Sequence, residues 1–219
     1  QVDREATAGQ AHFHGLLVDV NAPMDLQEFA LSMVVDEQHH TALAIDAARA
    51  LGASGELSFD LCELQVRRQA EPAEELLDLL VGMFVVSEVV ALDLLVHTTK
   101  VLPDSTFRDV LRKIAKDEVL HARFGHLVLS TLRGDERWLP YPGDDAVVAL
   151  AKAHTARMRT RAVVSESESE LSDDGDFRVE LEALGVPPPH GFRAAYVRGL
   201  DESVPAALAA AGIDRRIAE

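Results

Sequence analysis

The stretch KDEVLHARFGH, residues 116–126, places two polar residues where a helix should be apolar. Apolar residues recur at intervals of three and four through this part of the chain, which indicates a helix with one face turned to a core. That face nevertheless contains Glu118 and His121. The full stripe is Phe107, Leu111, Ile114, Glu118, His121, Gly125 and Val128. An acid and an imidazole on a core stripe indicate a buried site rather than packing alone.

The same pattern occurs on a second helix. Glu37 and His40 lie on its core stripe, so both helices present Glu-x-x-His to the interior. In both helices an aspartate, Asp36 or Asp117, directly precedes the glutamate. A single Glu-x-x-His occurs often by chance, but two copies on two core stripes are harder to obtain accidentally. The stripe of this helix is Leu26, Ala30, Met33, Glu37, His40, Ala44, Ala47 and Leu51.

Two further acids extend the repeat. Glu88 lies within the apolar run FVVSEVVAL, and Glu5 lies on the first helix. Glu5 precedes Glu37 by 32 residues and Glu88 precedes Glu118 by 30, so each half reads Glu, turn, Glu-x-x-His. Four buried carboxylates would be costly, and two divalent cations would offset that cost by direct coordination. Oxygen-rich ligation with two imidazoles predicts iron or manganese, because structural zinc sites more often use cysteine.

Four long helices are predicted before residue 134, because turn-forming residues interrupt the apolar periodicity. Short turns join the first helix to the second and the third to the fourth, whereas GASGELSFDLCELQVRRQAEP separates the second from the third. This order of connections predicts an all-α fold, a ferritin-like four-helix bundle with one long crossover between helices 2 and 3. The predicted helices are residues 2–20, 25–52, 72–100 and 104–133.

The predicted domain organisation follows from a change of sequence character near residue 134. Residues 1–133 are predicted to form the bundle with its dinuclear metal site. Residues 134–219 are predicted to form additional C-terminal helices packed on the bundle, the first of them at about 144–164. Within this extension SESESELSDDGD, residues 165–176, is acidic and Ser-rich, so we expect it to be mobile.

The sequence resembles the ferritin-like di-iron carboxylate proteins, in which two helices each supply a Glu and two others each supply Glu-x-x-His. It is similar in particular to short bacterial ferritin-like domains, through REATAGQAHFHGLLVDVNAP followed by VVDEQHHTALA. The resemblance covers about residues 1–133. It implies two Fe ions, or an Mn/Fe pair, with Glu37 and Glu118 bridging them and dioxygen as co-substrate. The implied ligands are Glu5, Glu37, His40, Glu88, Glu118 and His121.

The resemblance also implies roles around the ligands. Asp36 and Asp117 would accept a hydrogen bond from the outer N–H of a ligand histidine and fix its tautomer. Many family members carry Arg directly before the ligand histidine, whereas this chain has His39 and Leu120 there. We therefore expect a different charge network around the metals. His39 points about 100° away from His40 on the helix, so it is expected at the surface or at an interface.

Four residues are candidates for a pocket beside the metals, and each has a simpler alternative. His12 follows Glu5 on the same face of the first helix, and could instead be a core histidine bonded to a neighbour. Gly125 could leave room for a substrate or for dioxygen, or could allow close helix packing. Met33 and Phe84 would suit an apolar pocket but would serve equally as ordinary core. The candidates are His12, Met33, Phe84 and Gly125.

Composition limits the partners. The net charge of -16 argues against nucleic acid, because that binding depends on Lys and Arg neutralising phosphates. The apolar run around Glu88 is interrupted by acids, so no membrane-spanning helix is expected. The single cysteine excludes an intramolecular disulfide, which fits a cytoplasmic protein. A homodimer through apolar outer faces is left open.

Three functions follow from such a site. The first is an oxidoreductase, a dioxygen-activating non-haem oxidase or oxygenase of a small organic substrate, supplied with electrons by a reductase or ferredoxin. The second is iron oxidation and storage, or peroxide removal as in rubrerythrins, although no Cys-x-x-Cys rubredoxin module is present. The third is a scaffold protein whose site holds another metal or none. The complete ligand set argues against the third function. The first is favoured over the second, although the sequence identifies neither its substrate nor its electron donor.

Overall fold

The computed structural model describes residues 2–50, 52, 70–135, 137–169 and 189–213, with the backbone alone for 2–5, 161–169 and 189–190. Within these residues every regular element is helical and no strand occurs. The prediction of an all-α protein is confirmed for this part of the chain, and the four-helix bundle stays a prediction. The predicted crossover falls almost entirely outside the described residues.

The helices begin and end close to their predicted positions. A π-helical segment, Leu80–Ser87, lies between α3 and α4, and a second one, Gly199–Ser203, lies between α7 and α8. Periodicity does not predict these wider turns. Residues 165–169, predicted to be mobile, continue α6, and the rest of that segment lies outside the described residues. The α-helices are α1 Val2–Asp19, α2 Met24–Ala50, α3 Pro72–Leu79, α4 Glu88–Val101, α5 Thr106–Gly134, α6 Asp144–Ser169, α7 Pro189–Arg198 and α8 Val204–Ala210.

The breaks between helices have local causes. After α1, Asn21 adopts a φ of 52°, and the N–H of Ala22 donates to the carbonyl of Leu17 at 2.9 Å. This left-handed residue with a six-to-one hydrogen bond closes the helix. Before α5, the Ser105 hydroxyl accepts from the backbone N–H of Arg108 at 3.2 Å, as an N-cap does. Both breaks were predicted from turn-forming residues.

The chain divides into two compact units, residues 1–79 with 135–140, and residues 80–134 with 141–219. The helices after residue 141 belong to the same unit as residues 80–134. The domain boundary predicted near residue 133 stays a prediction. In the first unit α1 packs on α2 and on α3. Its core is formed by Phe13, Leu16, Leu17, Ala30, Met33 and Leu76.

The second unit is centred on the π-helical segment Leu80–Ser87. Helices α4, α5 and α6 pack on that segment, and α7 packs on α4 and α6. The rings of Phe84 and Phe124 meet edge to face with their centroids 4.9 Å apart. Because most of the segment is buried, the part of the helix that leads into Glu88 is fixed by packing from several sides.

Two glycines allow this close packing. A Cβ at Gly125 of α5 would lie 2.8 Å from the carbonyl carbon of Phe84 and 2.9 Å from the N of Val85. A Cβ at Gly82 would collide with the imidazole ring of His154. Both positions therefore need a residue without a side chain, one to admit backbone and the other to admit a ring.

The helix that runs through this segment, Pro72–Val101, is long and apolar enough to cross a membrane, with a mean hydropathy of 2.4 in its most apolar window. Half of that window is buried inside the protein, and core helices pass the same test. The finding is therefore weak support for a membrane span.

Candidate metal centre

The first unit places Glu37 and His40 one turn apart on α2. Both side chains are buried, with exposures of 3% and 1%. The Oε2 atom of Glu37 lies 3.8 Å from the Nδ1 atom of His40. His39, which directly precedes His40, is exposed, as predicted. The core stripe drawn for this helix therefore separates the buried imidazole from the exposed one.

A glutamine that the sequence analysis did not single out contacts the same carboxylate. The Nε2 atom of Gln10 on α1 donates to the Oε1 atom of Glu37 at 3.2 Å. Gln10 is 1% exposed. A sequence signal was present, because Gln10, Phe13 and Leu17 follow one another at helical spacing on the buried face of α1.

The second unit places Glu118 and His121 one turn apart on α5. The Oε2 atom of Glu118 lies 3.1 Å from the Nδ1 atom of His121. Glu118 is 6% exposed and His121 is fully buried. Glu88, also buried, is the first residue of α4 after the π-helical segment. Three residues predicted as ligands are therefore buried on two helices that pack together.

Four of the predicted ligands form one buried group that could hold a metal ion. One ligand atom from each of Glu37, Glu88, Glu118 and His121 lies within 4.8 Å of the others. Three carboxylates this close repel one another when ionised, and burial removes the water that would screen them. A divalent cation bound by their oxygens would offset this repulsion, so the donor set fits a metal.

The other two predicted ligands are Glu5 and His40. The side chain of Glu5 lies outside the described part of the structure, although its backbone belongs to α1. His40 is not a member of the four-residue group, although it lies beside the carboxylate of Glu37. Asp36 and Asp117 are half-buried, as residues flanking a core stripe should be, and their predicted bonds to the histidines stay predictions.

The candidate pocket residues are mostly engaged in packing. His12 is half-buried, and its Nε2 atom lies 2.8 Å from the Oε1 atom of Glu75, so it is a histidine bonded to a neighbour. Met33 and Phe84 are fully buried core residues. Gly125 admits the backbone of the π-helical segment, which is the close helix packing that the sequence left open.

No family model, no curated protein and no solved structure matches this chain. The interpretation of the site therefore depends on its own residues. In the described part of the chain, those residues form a buried cluster of carboxylates and one imidazole on helices, and the cluster could bind a metal ion of unknown identity.

Proposed function

We propose that this protein is a non-haem oxidoreductase with a dinuclear iron or manganese/iron centre that uses dioxygen to oxidise a small organic molecule. The observation that supports the proposal is the buried convergence of Glu37, Glu88, Glu118 and His121. Oxygen donors with imidazole are the ligands that redox-active first-row metals share in such enzymes. A structural role alone would be better served by apolar residues at these positions.

The proposal of two ions extends beyond that four-residue group. Glu37 with His40 and Glu118 with His121 are equivalent pairs on two helices, and each offers one carboxylate and one Nδ1 atom. These two pairs, together with Glu88 and Glu5, would hold the two ions, and this is the ligand set of the ferritin-like di-iron proteins that the sequence resembles.

The residues around the ligands would control water and charge. When bound, the metal pair supplies two-electron chemistry with dioxygen as co-substrate. Apolar side chains on the same helices as the ligands limit access of water, which strengthens the attraction between carboxylates and cations. Those that are buried include Met33, Val81, Phe84, Val85 and Ile114. Electrons would come from an external donor, a reductase or a ferredoxin.

Metal content tests the proposal directly. Protein produced with iron and manganese both present should contain about two redox-active metals per chain by mass spectrometry. Glu37→Ala and Glu118→Ala should each lose metal, because each removes a proposed ligand. Glu28→Ala is the matched control for α2, since Glu28 is exposed on the same helix. Zinc alone, or a content that the two ligand variants leave unchanged, would end the oxidoreductase interpretation.

A second assay separates oxidation of an organic substrate from iron handling. Iron oxidation and storage, or peroxide removal, would use the same ligands and is the alternative interpretation. Anaerobic loading with two Fe²⁺ per chain, followed by dioxygen and further Fe²⁺, should give a single turnover for an oxygenase that lacks its substrate and reductant. Continuous consumption of added Fe²⁺, or rapid loss of hydrogen peroxide, would favour the alternative.

A further inference from the structure

Gln10 is a buried polar residue for which helix packing alone gives no reason. It lies on the face of α1 that packs on α2, between apolar neighbours such as Phe13 and Leu17. Leucine or methionine would fill the same space without an amide to desolvate. Its Nε2 atom donates to Oε1 of Glu37, so the amide is directed at a predicted metal ligand.

The contact restricts the carboxylate of Glu37 in a specific way. A carboxylate oxygen can only accept, so the amide must present its nitrogen, and this engages one oxygen of the pair. The other oxygen, Oε2, lies on the side of the His40 Nδ1 atom, 3.8 Å away. The bond from Gln10 thus fixes one oxygen of the carboxylate, and the other oxygen lies near the second candidate donor on α2.

The neutrality of the donor also matters. An Arg or Lys at this position would neutralise Glu37 and reduce its attraction for a cation. An amide offers a hydrogen bond while leaving the full negative charge available. Holding a ligand before the metal arrives also lowers the conformational entropy lost on binding.

We propose that Gln10 is a positioning residue that orients the carboxylate of Glu37 for metal binding. This inference rests on the proposed dinuclear centre and adds to it an outer-shell residue that the Glu-x-x-His pattern does not contain. Outer-shell partners of metal ligands typically contribute ten- to a hundredfold in metal affinity. The amide should act on affinity and coordination geometry more than on the number of ions bound at saturation.

Titration of the metal-free full-length protein with Co²⁺ tests the inference. Gln10→Met removes the donor at similar length, and Gln38→Met is the matched control, because Gln38 is exposed on α2 beside Glu37. Gln10→Met should weaken Co²⁺ binding by about ten- to a hundredfold and change the visible Co²⁺ spectrum at saturation. Gln38→Met should match the parent protein in both measurements.

Three outcomes would overturn the inference, and the first two differ in what they say about the metal centre. If the parent binds two Co²⁺ ions and Gln10→Met binds them with the same affinity and spectrum, Gln10 is structural and the dinuclear centre stands. If the parent binds none, both proposals fail. Should Gln10→Met not fold, Gln10→Asn keeps an amide too short to reach Glu37 and should show the same loss. An unchanged affinity in that variant would also overturn the inference.

Discussion

The two Glu-x-x-His helices carry the same motif in different surroundings. On α2 the carboxylate of Glu37 is held by an amide from α1, and its Oε2 atom lies 3.8 Å from the Nδ1 atom of His40. On α5 the corresponding distance between Glu118 and His121 is 3.1 Å, and the helix packs on a buried π-helical segment. A hydrogen bond from α1 therefore supports the carboxylate on α2, and the helix that carries the pair on α5 packs on a buried segment, so the two motifs lie in different surroundings.

Removing each imidazole is the strongest test of this comparison. His121→Ala should weaken Co²⁺ binding more than about a hundredfold, since a direct ligand matters more than an outer-shell partner. His40→Ala should also lose metal, but less, because its nitrogen begins farther from the paired carboxylate. His39→Ala is the control, an exposed histidine on the same helix. Metal analysis and Co²⁺ titration measure all three, and equal behaviour of His40→Ala and His39→Ala would remove His40 from the site.

The next largest effect is expected for substitution of Gly125, where α5 packs on the π-helical segment, and it is an effect on the free energy of unfolding. Gly125→Ala would force a Cβ to within 2.8 Å of the Phe84 carbonyl carbon, an overpacking that costs about 1–3 kcal/mol. The better helix propensity of alanine returns up to about 1 kcal/mol. Gly15→Ala, where a Cβ would meet nothing within 4 Å, should instead stabilise by up to about 1 kcal/mol. Urea unfolding of the metal-free proteins gives both values, and a neutral or stabilising Gly125→Ala would contradict the packing.

A polar pair in the first unit should have a smaller effect. The Nε2 atom of His12 on α1 lies 2.8 Å from Oε1 of Glu75 on α3, with both side chains largely buried. Glu75→Gln should lower the free energy of unfolding by about 0.5–1.5 kcal/mol, the usual net contribution of such a hydrogen bond. Glu74→Gln changes an exposed neighbour and should have no measurable effect. Equal urea midpoints for the two variants would show that the pair does not fasten α1 to α3.

Helical periodicity and the Glu-x-x-His pattern were sufficient to predict helix ends and buried polar residues in the described part of the chain. The predicted helix ends at Asn21 and Pro103 agree with the structure within a few residues, because turn chemistry is local. The burial of Glu88, Glu118 and His121 also followed from the stripe on which each lies. Local pattern therefore predicts which side chains enter a core, even when they are polar.

Other features depend on contacts between distant residues and were missed. The π-helical segment Leu80–Ser87 has no signature in a run of apolar residues, since its register is set by the helices packed on it. The partner of Gln10 could not be identified without the relative placement of α1 and α2. The pocket role considered for Gly125 was uncertain for the same reason, because a glycine on a core stripe fits open space and close packing equally well.

The smallest expected effect is on stability at acidic pH, and it tests how far the surroundings of α5 exclude water. His126 is half-buried on α5, and burial, assisted by the nearby Arg123, lowers its pKa below the ordinary value of 6.5. The folded state then takes up this proton less readily than the unfolded state does. The neutral imidazole of His126 therefore contributes to the free energy of unfolding above about pH 6.5, and this contribution is lost as the pH falls below that value.

The urea midpoint of the metal-free protein should accordingly decrease as the pH is lowered from 7.5 to 5.5. The decrease should be smaller for His126→Gln, because this variant lacks one of the groups that titrate. Arg123→Gln should also reduce the slope, since the guanidinium contributes to the lowered pKa. His39→Gln, at an exposed position on α2, serves as the control for loss of an imidazole. Identical slopes for His126→Gln and the parent would mean that α5 is open to water at His126, and the tight packing inferred for this helix would then end before that residue.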